Sequence, residues 1–143
     1  MPTIAAPRPP HPLEPSAPPA DPVTHALCQC YAEVAAMTRA ECMSGCYGER
    51  PGGCCDHEFC AEAMRHAADA WGVELRPTGH PTIPLMGPNG CIAPPHLRPR
   101  CALHACCVTE FGGKPADAAW TVRYTGLVDR IADLEAARHR RCA

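Results

Sequence analysis

Twelve cysteines stand in 143 residues, and nine of them fall into two groups: Cys42-x3-Cys46-x7-Cys54-Cys55-x4-Cys60 and Cys91-x9-Cys101-x4-Cys106-Cys107. Each group contains an adjacent pair. Neighbouring cysteines bridge to each other only with strain, so the pairs suit thiolate chemistry better than a mutual disulfide. Cys54 and Cys55 precede the start of a helix near His57. Backbone N–H groups left over at a helix N-terminus favour negative charge there and lower a thiol pKa. Thiolates so placed bind soft metals. The spacing lacks the paired C-x2-C of a zinc ribbon. A four-thiolate zinc site and an iron–sulfur cluster both suit these ligands, and the irregular spacing favours the larger object. The ligands expected are Cys42, Cys46, Cys54, Cys55, Cys60, Cys91, Cys101 and Cys106. His57, His80, His96 and His104 lie near them and could each replace one, His104 first because it stands between Cys101 and Cys106.

The compartment decides between metal and disulfides. The opening MPTIAAPRPPHPLEPSAPPADP has no apolar run, so no secretory signal is expected. No segment approaches the roughly 18 apolar residues of a membrane span. A cytoplasmic protein is therefore expected, with reduced thiols and a metal rather than a disulfide frame. The whole chain has only seven aromatic residues with which to build a core, and small domains with thin cores commonly draw stability from a metal. A net charge of −2 gives no general attraction to nucleic acid, and the basic ending ARHRR is too short a cluster to change that. Twelve arginines against one lysine point to a GC-rich coding genome, as in a bacterium or its phage.

The two cysteine motifs resemble those of the bacterial cysteine-cluster family of zinc- or iron-chelating proteins (the YkgJ type, which includes flagellin lysine methylases). Cys42, Cys46, Cys54 and Cys55 match its first motif, a run of spaced cysteines ending in an adjacent pair. The stretch NGCIAPPHLRPRCALHAC matches its second, with Cys91, Arg98-Pro99, Cys101 and Cys106. The likeness spans residues 42–107. The chain departs from the family in the seven residues between Cys46 and Cys54 and in the additional Cys60 and Cys107. The resemblance implies a metal, zinc or iron. Arg98, from its place in the motif, is a candidate to hydrogen-bond cluster sulfurs or offset their charge; its other reading is a surface arginine before a proline turn.

These residues need elements to hold them. A mainly α fold is expected: about three helices around an irregular, metal-bound centre, with a proline-rich tail over residues 1–20 and one cysteine-cluster domain over 21–143. Asp21-Pro22 reads as a helix start, and Val23, Leu27, Tyr31, Val34 and Met37 recur at helical spacing over 22–40. Cys28 and Cys30 lie on that helix about 200° apart, so both cannot face one metal and at least one packs as a small hydrophobe. Residues 42–56 form a knuckle-like loop. A second helix is expected over 57–71, capped by Asp56 and ended by Gly72, with a stripe of Phe59, Ala63, Ala67 and Ala70. Seven prolines between 77 and 100 exclude a regular helix or central strand and predict an extended, ordered loop delivering Cys91 and Cys101. A last helix is expected from Pro115 to Arg138, with Trp120, Tyr124, Leu127, Ile131 and Leu134 on one stripe.

Four functions are compatible with this reading. The first is a metal-binding protein. A cluster-dependent enzyme component related to protein lysine methylation is a second, although no glycine-rich cofactor loop or nucleophile–base pair is evident. A thiol redox protein using Cys107 or Cys142 is a third. The last is an interaction or adaptor protein that meets a protein partner through PRPP or PLEP in the tail.

Overall fold

A computed structural model of the chain describes residues 21–40, 57–104 and 117–142. The described part is mainly helical. In chain order it comprises α1 (Pro22–Ala40), α2 (His57–Trp71), two-residue strands β1 (Met86–Gly87) and β2 (Gly90–Cys91), a 3₁₀ turn (Pro95–Leu97), α3 (Pro99–Leu103) and α4 (Ala118–Cys142). None of these helices is long and apolar enough to cross a membrane.

Local chemistry sets the helix ends. The Asp21 carboxylate accepts the Val23 N–H at 3.2 Å and the Thr24 hydroxyl at 2.9 Å, while Pro22 takes the first helical position, where a missing N–H costs nothing. Gly72 closes α2 in the left-handed region, at φ +63°, with its N–H donating to Ala68 O at 3.1 Å. The last helix begins later than its periodicity suggests, because Asp117 accepts the Trp120 N–H at 3.0 Å and caps Ala118; it also runs past Arg138 to Cys142. Pro115 lies outside the described residues.

The proline-rich segment is ordered, as expected, but it is not wholly extended. Pro95 opens the 3₁₀ turn and Pro99 opens α3. Proline is excluded from a helix interior, not from its first position, so a proline-rich stretch can begin helices one after another. The β1–β2 pairing is an antiparallel bridge, Met86 with Cys91 and Gly87 with Gly90. Gly90 takes φ +108°, open to glycine alone at that turn.

Two apolar clusters hold the elements. In the first, α1 lies antiparallel to α4, with Leu27, Cys30, Tyr31, Val34, Ala35 and Met37 packed on Leu127, Ile131 and Ala102 of α3. Trp120, Tyr124 and Leu134 cover its edge as the α4 stripe predicts. Polar ties run along the seam. Tyr31 donates to Glu135 Oε1 at 2.9 Å, Arg123 pairs with Glu33 at 2.7 Å, and Arg141 pairs with Asp21. Burial, together with the Glu135 acceptor, pushes the Tyr31 phenol well above its ordinary range. In the second cluster, Cys60 and Ala63 of α2 pack on Ile83, Leu85, Met86 and Ala93 of the proline-rich segment. Its own apolar residues thus anchor that segment. The α2 stripe is Cys60, Ala63 and Ala67; Ala70 is exposed.

Candidate metal centre

Between the two clusters lies a cavity of about 120 Å³. Its lining includes Cys60 of α2, Cys91 of β2 and Cys101 of α3, with Arg98 and His104 flanking α3. Three expected ligands, the expected arginine and the first-choice histidine therefore share one space, although the thiols lie on three separate elements. The proline-rich segment achieves this. Its β1–β2 turn presents Cys91, and Pro99 starts the short helix that presents Cys101 two residues later.

Each wall has a physical origin. From α1 come Ala35, Thr38 and Arg39, one face at i, i+3 and i+4. Thr38 is buried, and its hydroxyl donates to Ala102 O at 2.7 Å, tying α1 to the α3 that carries Cys101. Phe59, Ile83, Leu85 and Met86 supply an apolar side. Arg98 is held by its Nε, which donates to Ala93 O at 2.9 Å. Arg39, exposed, stands at the rim; its Nη2 lies 3.9 Å from where a Cβ on Gly90 would be. A second cavity of about 50 Å³ shares Phe59, Ala63, Arg98 and Cys101. Beside it, Arg100 pairs with Glu62 at 2.8 Å and lies 4.6 Å from the Phe59 ring centroid.

The space is larger than one ion needs, since a single water occupies roughly 10–15 Å³ on this measure. Among the described residues, no three His, Cys, Asp or Glu side chains converge closely enough to hold one metal ion. Cys42, Cys46, Cys54, Cys55 and Cys106 lie outside the described residues, as does Cys107. The six described cysteines, Cys28, Cys30, Cys60, Cys91, Cys101 and Cys142, are thiols. The cavity has room for more than one ion, but its three described thiols do not by themselves form a metal site.

The remaining candidates stand elsewhere. Cys30 is 6% exposed and belongs to the first apolar cluster, the packing role expected for one of the α1 pair. Burial pushes the Cys28 thiol up, and Glu135 adds to this against the opposing pull of Arg138. His57 is exposed at the start of α2. His80 Nδ1 accepts the N–H groups of Thr82 and Ile83 at 3.2 and 3.0 Å, which shapes a turn. His96 faces the Trp71 ring edge-on at 4.7 Å, packed on the first cluster's side. Arg39 was not singled out from the sequence, and Phe59 was placed only on the apolar stripe of α2. The signal for Arg39 is position, four residues after Ala35 on the same side of α1, and for Phe59 its place on the α2 stripe beside Cys60.

No family model, curated protein or solved structure matches this chain.

Proposed function

We propose that this chain is a metal-binding protein whose cysteine thiolates hold an iron–sulfur cluster in the cavity between α2, β2 and α3. Cys60, Cys91 and Cys101 are three of its ligands. Cys42, Cys46, Cys54, Cys55 and Cys106 supply the rest, and His104 is the one candidate replacement beside the cavity. The observation that carries this reading is that three thiols, from three separate elements, line one cavity roomier than a lone ion needs. Bound there, the cluster would contribute electron-transfer or redox-sensing chemistry. The chain's own part is to supply thiolates, exclude water with Phe59, Ile83, Leu85 and Met86, and set the charge with Arg98. Membership of the YkgJ-type family and work in a reducing, cytoplasmic compartment belong to the same proposal. They are supported by the two cysteine motifs.

The test is elemental analysis with an absorption spectrum on protein purified without oxygen. Iron and sulfide in equal amounts, with a broad band near 400 nm (about where such clusters absorb), are expected. Colourless protein carrying zinc would replace the cluster by a structural zinc site. Protein with neither metal would end the reading.

A further inference from the structure

The segment 78–86 is closed by polar bonds of its own. Thr78 donates its N–H to Pro84 O at 2.8 Å and its hydroxyl to Met86 O, while the Met86 N–H donates to Ile83 O at 3.1 Å. The remaining bonds converge on one ring. His80 Nδ1 accepts the Thr82 N–H at 3.2 Å and the Ile83 N–H at 3.0 Å, and the His80 N–H donates to Thr78 Oγ1 at 3.3 Å. Pro81 has no N–H to offer, so these two amides are the first that the ring can meet. The arrangement is a side-chain cap on a turn, of the kind usually made by an Asp or Asn oxygen. Those oxygens remain acceptors at mildly acid pH. An imidazole accepts only while Nδ1 carries no proton.

The turn has a wet side and a dry one. His80, Pro81 and Thr82 are exposed, whereas Ile83 and Leu85 are buried and pack on Cys60 and Ala63 of α2. Leu85 O accepts the Ile92 N–H at 2.9 Å, and Met86 pairs with Cys91 across β1–β2. We infer that His80 is a proton-operated clasp: bare at Nδ1, it closes the turn that seats Ile83, Leu85 and Met86 as a wall of the cavity, and protonated it releases that wall. The imidazolium sets a third N–H against two, with no acceptor left among them. In an opened turn the ring stands in water and takes up its proton without that conflict, so acid favours opening. The neighbouring ionisable groups do not duplicate this role. Glu74 and Arg76 are exposed and pair with each other at 3.8 Å, and the Cys60 and Cys91 thiols pack on the dry side. Among the described residues, no ion pair includes His80. The clasp acts on the wall alone, whatever the cavity holds.

The experiment is amide hydrogen exchange read by NMR on the full-length protein, purified without oxygen, at about pH 7.5 and about pH 5.5, the range in which histidines change charge. Rates are corrected for the intrinsic pH dependence of exchange. Protection of the Ile83, Met86 and Ile92 amides in wild type is expected to fall about tenfold at the lower pH. Ring nitrogen-15 spectra should show His80 bare at Nδ1 and protonated at Nε2 at about pH 7.5. His80→Asn offers an amide oxygen near the Nδ1 position that accepts at either pH, so its protection should hold at both. His80→Ala should be poorly protected at both. His96 responds to acid in wild type and in His80→Asn alike, so the difference between the two isolates His80. Protected Val34 and Ile131 amides in the same spectra establish that each variant is folded. Protection that is equal at the two pH values in wild type, or that falls as steeply in His80→Asn, would overturn the clasp. So would a ring protonated at Nδ1 at about pH 7.5, or His80→Ala as well protected as wild type there. No readout counts metal, so such a failure leaves the metal reading in place.

Discussion

The Arg138 guanidinium lies 3.6 Å from the centroid of the Trp71 ring, joining the end of α4 to the end of α2. The same arginine donates through Nη2 to Ala70 O at 3.0 Å, one of the carbonyls that a helix C-terminus leaves without an internal partner. Charge, ring face and helix dipole are thus satisfied by one side chain. Arg138→Leu is expected to cost about 1–2 kcal/mol in urea unfolding. Arg138→Lys should recover little of it, since an ammonium cannot both stack flat on the indole and reach Ala70.

Trp71 also meets His96, whose edge-on contact sets up a pH dependence. Burial lowers its pKa below the usual value, and the neighbouring charges of Arg138 and His66 lower it further against the weaker pull of Glu135. The unfolded chain therefore takes up the His96 proton first as pH falls. Stability should be flat above about pH 7.5 and decline as pH drops through about 6.5 towards the folded-state pKa. Urea midpoints of wild type and His96→Gln, measured at matched pH values, should differ in that window by a slope that disappears above it. Parallel curves would show that His96 does not contribute.

Single serine substitutions should sort the thiols by place. Cys60→Ser, Cys91→Ser and Cys101→Ser are expected to lose more than half of the bound metal by mass spectrometric metal analysis. Cys30→Ser should keep its metal and lose about 1–3 kcal/mol, the cost of a hydroxyl within an apolar cluster. Cys142→Ser, at an exposed position, should change neither quantity.

Metal removal should act unevenly along the chain. The cluster around Ile83, Leu85 and Met86 is built on Cys60 and flanked by Cys91, whereas the α1–α4 seam contains none of the cavity's thiols. Hydrogen exchange after chelation should accelerate first over residues 83–93. Amides of α1 and α4 near Val34 and Ile131 should stay protected longer. Equal acceleration in both would mean one cooperative unit.

How far this was legible in the sequence differs by element. Asp21-Pro22 and Gly72 marked helix ends correctly because capping is local chemistry, satisfied by residues a few positions away. The start of α4 was placed early because periodicity says where a stripe continues and not where a carboxylate such as Asp117 stops the backbone. Proline density hid α3, since composition cannot distinguish a proline within a helix from one at its first position. Cys60, Cys91, Cys101 and Arg98 could be chosen by residue type and motif, yet their meeting at one cavity depends on tertiary folding of the 77–100 segment. Arg39 was hidden for the same reason: at the end of α1 it reads as a cation placed for the helix dipole, and folding of the β1–β2 turn brings Gly90 beside it.

The pairing of Asp21 with Arg141 brings together positions 120 apart in the chain. The described fold thus begins and ends at one corner, and that corner is remote from the cavity's thiols: Thr38, at the cavity, is about 25 Å along α1 from Asp21. In a chain trimmed to residues 21–142 the two ends could be spliced by a short linker, and a backbone made circular would lose less entropy on folding. Fusion partners or affinity tags attached at Asp21 or Cys142 would leave from the end opposite the cavity. The described part of the chain is in effect a hairpin with its grip at one end and the cavity at the other.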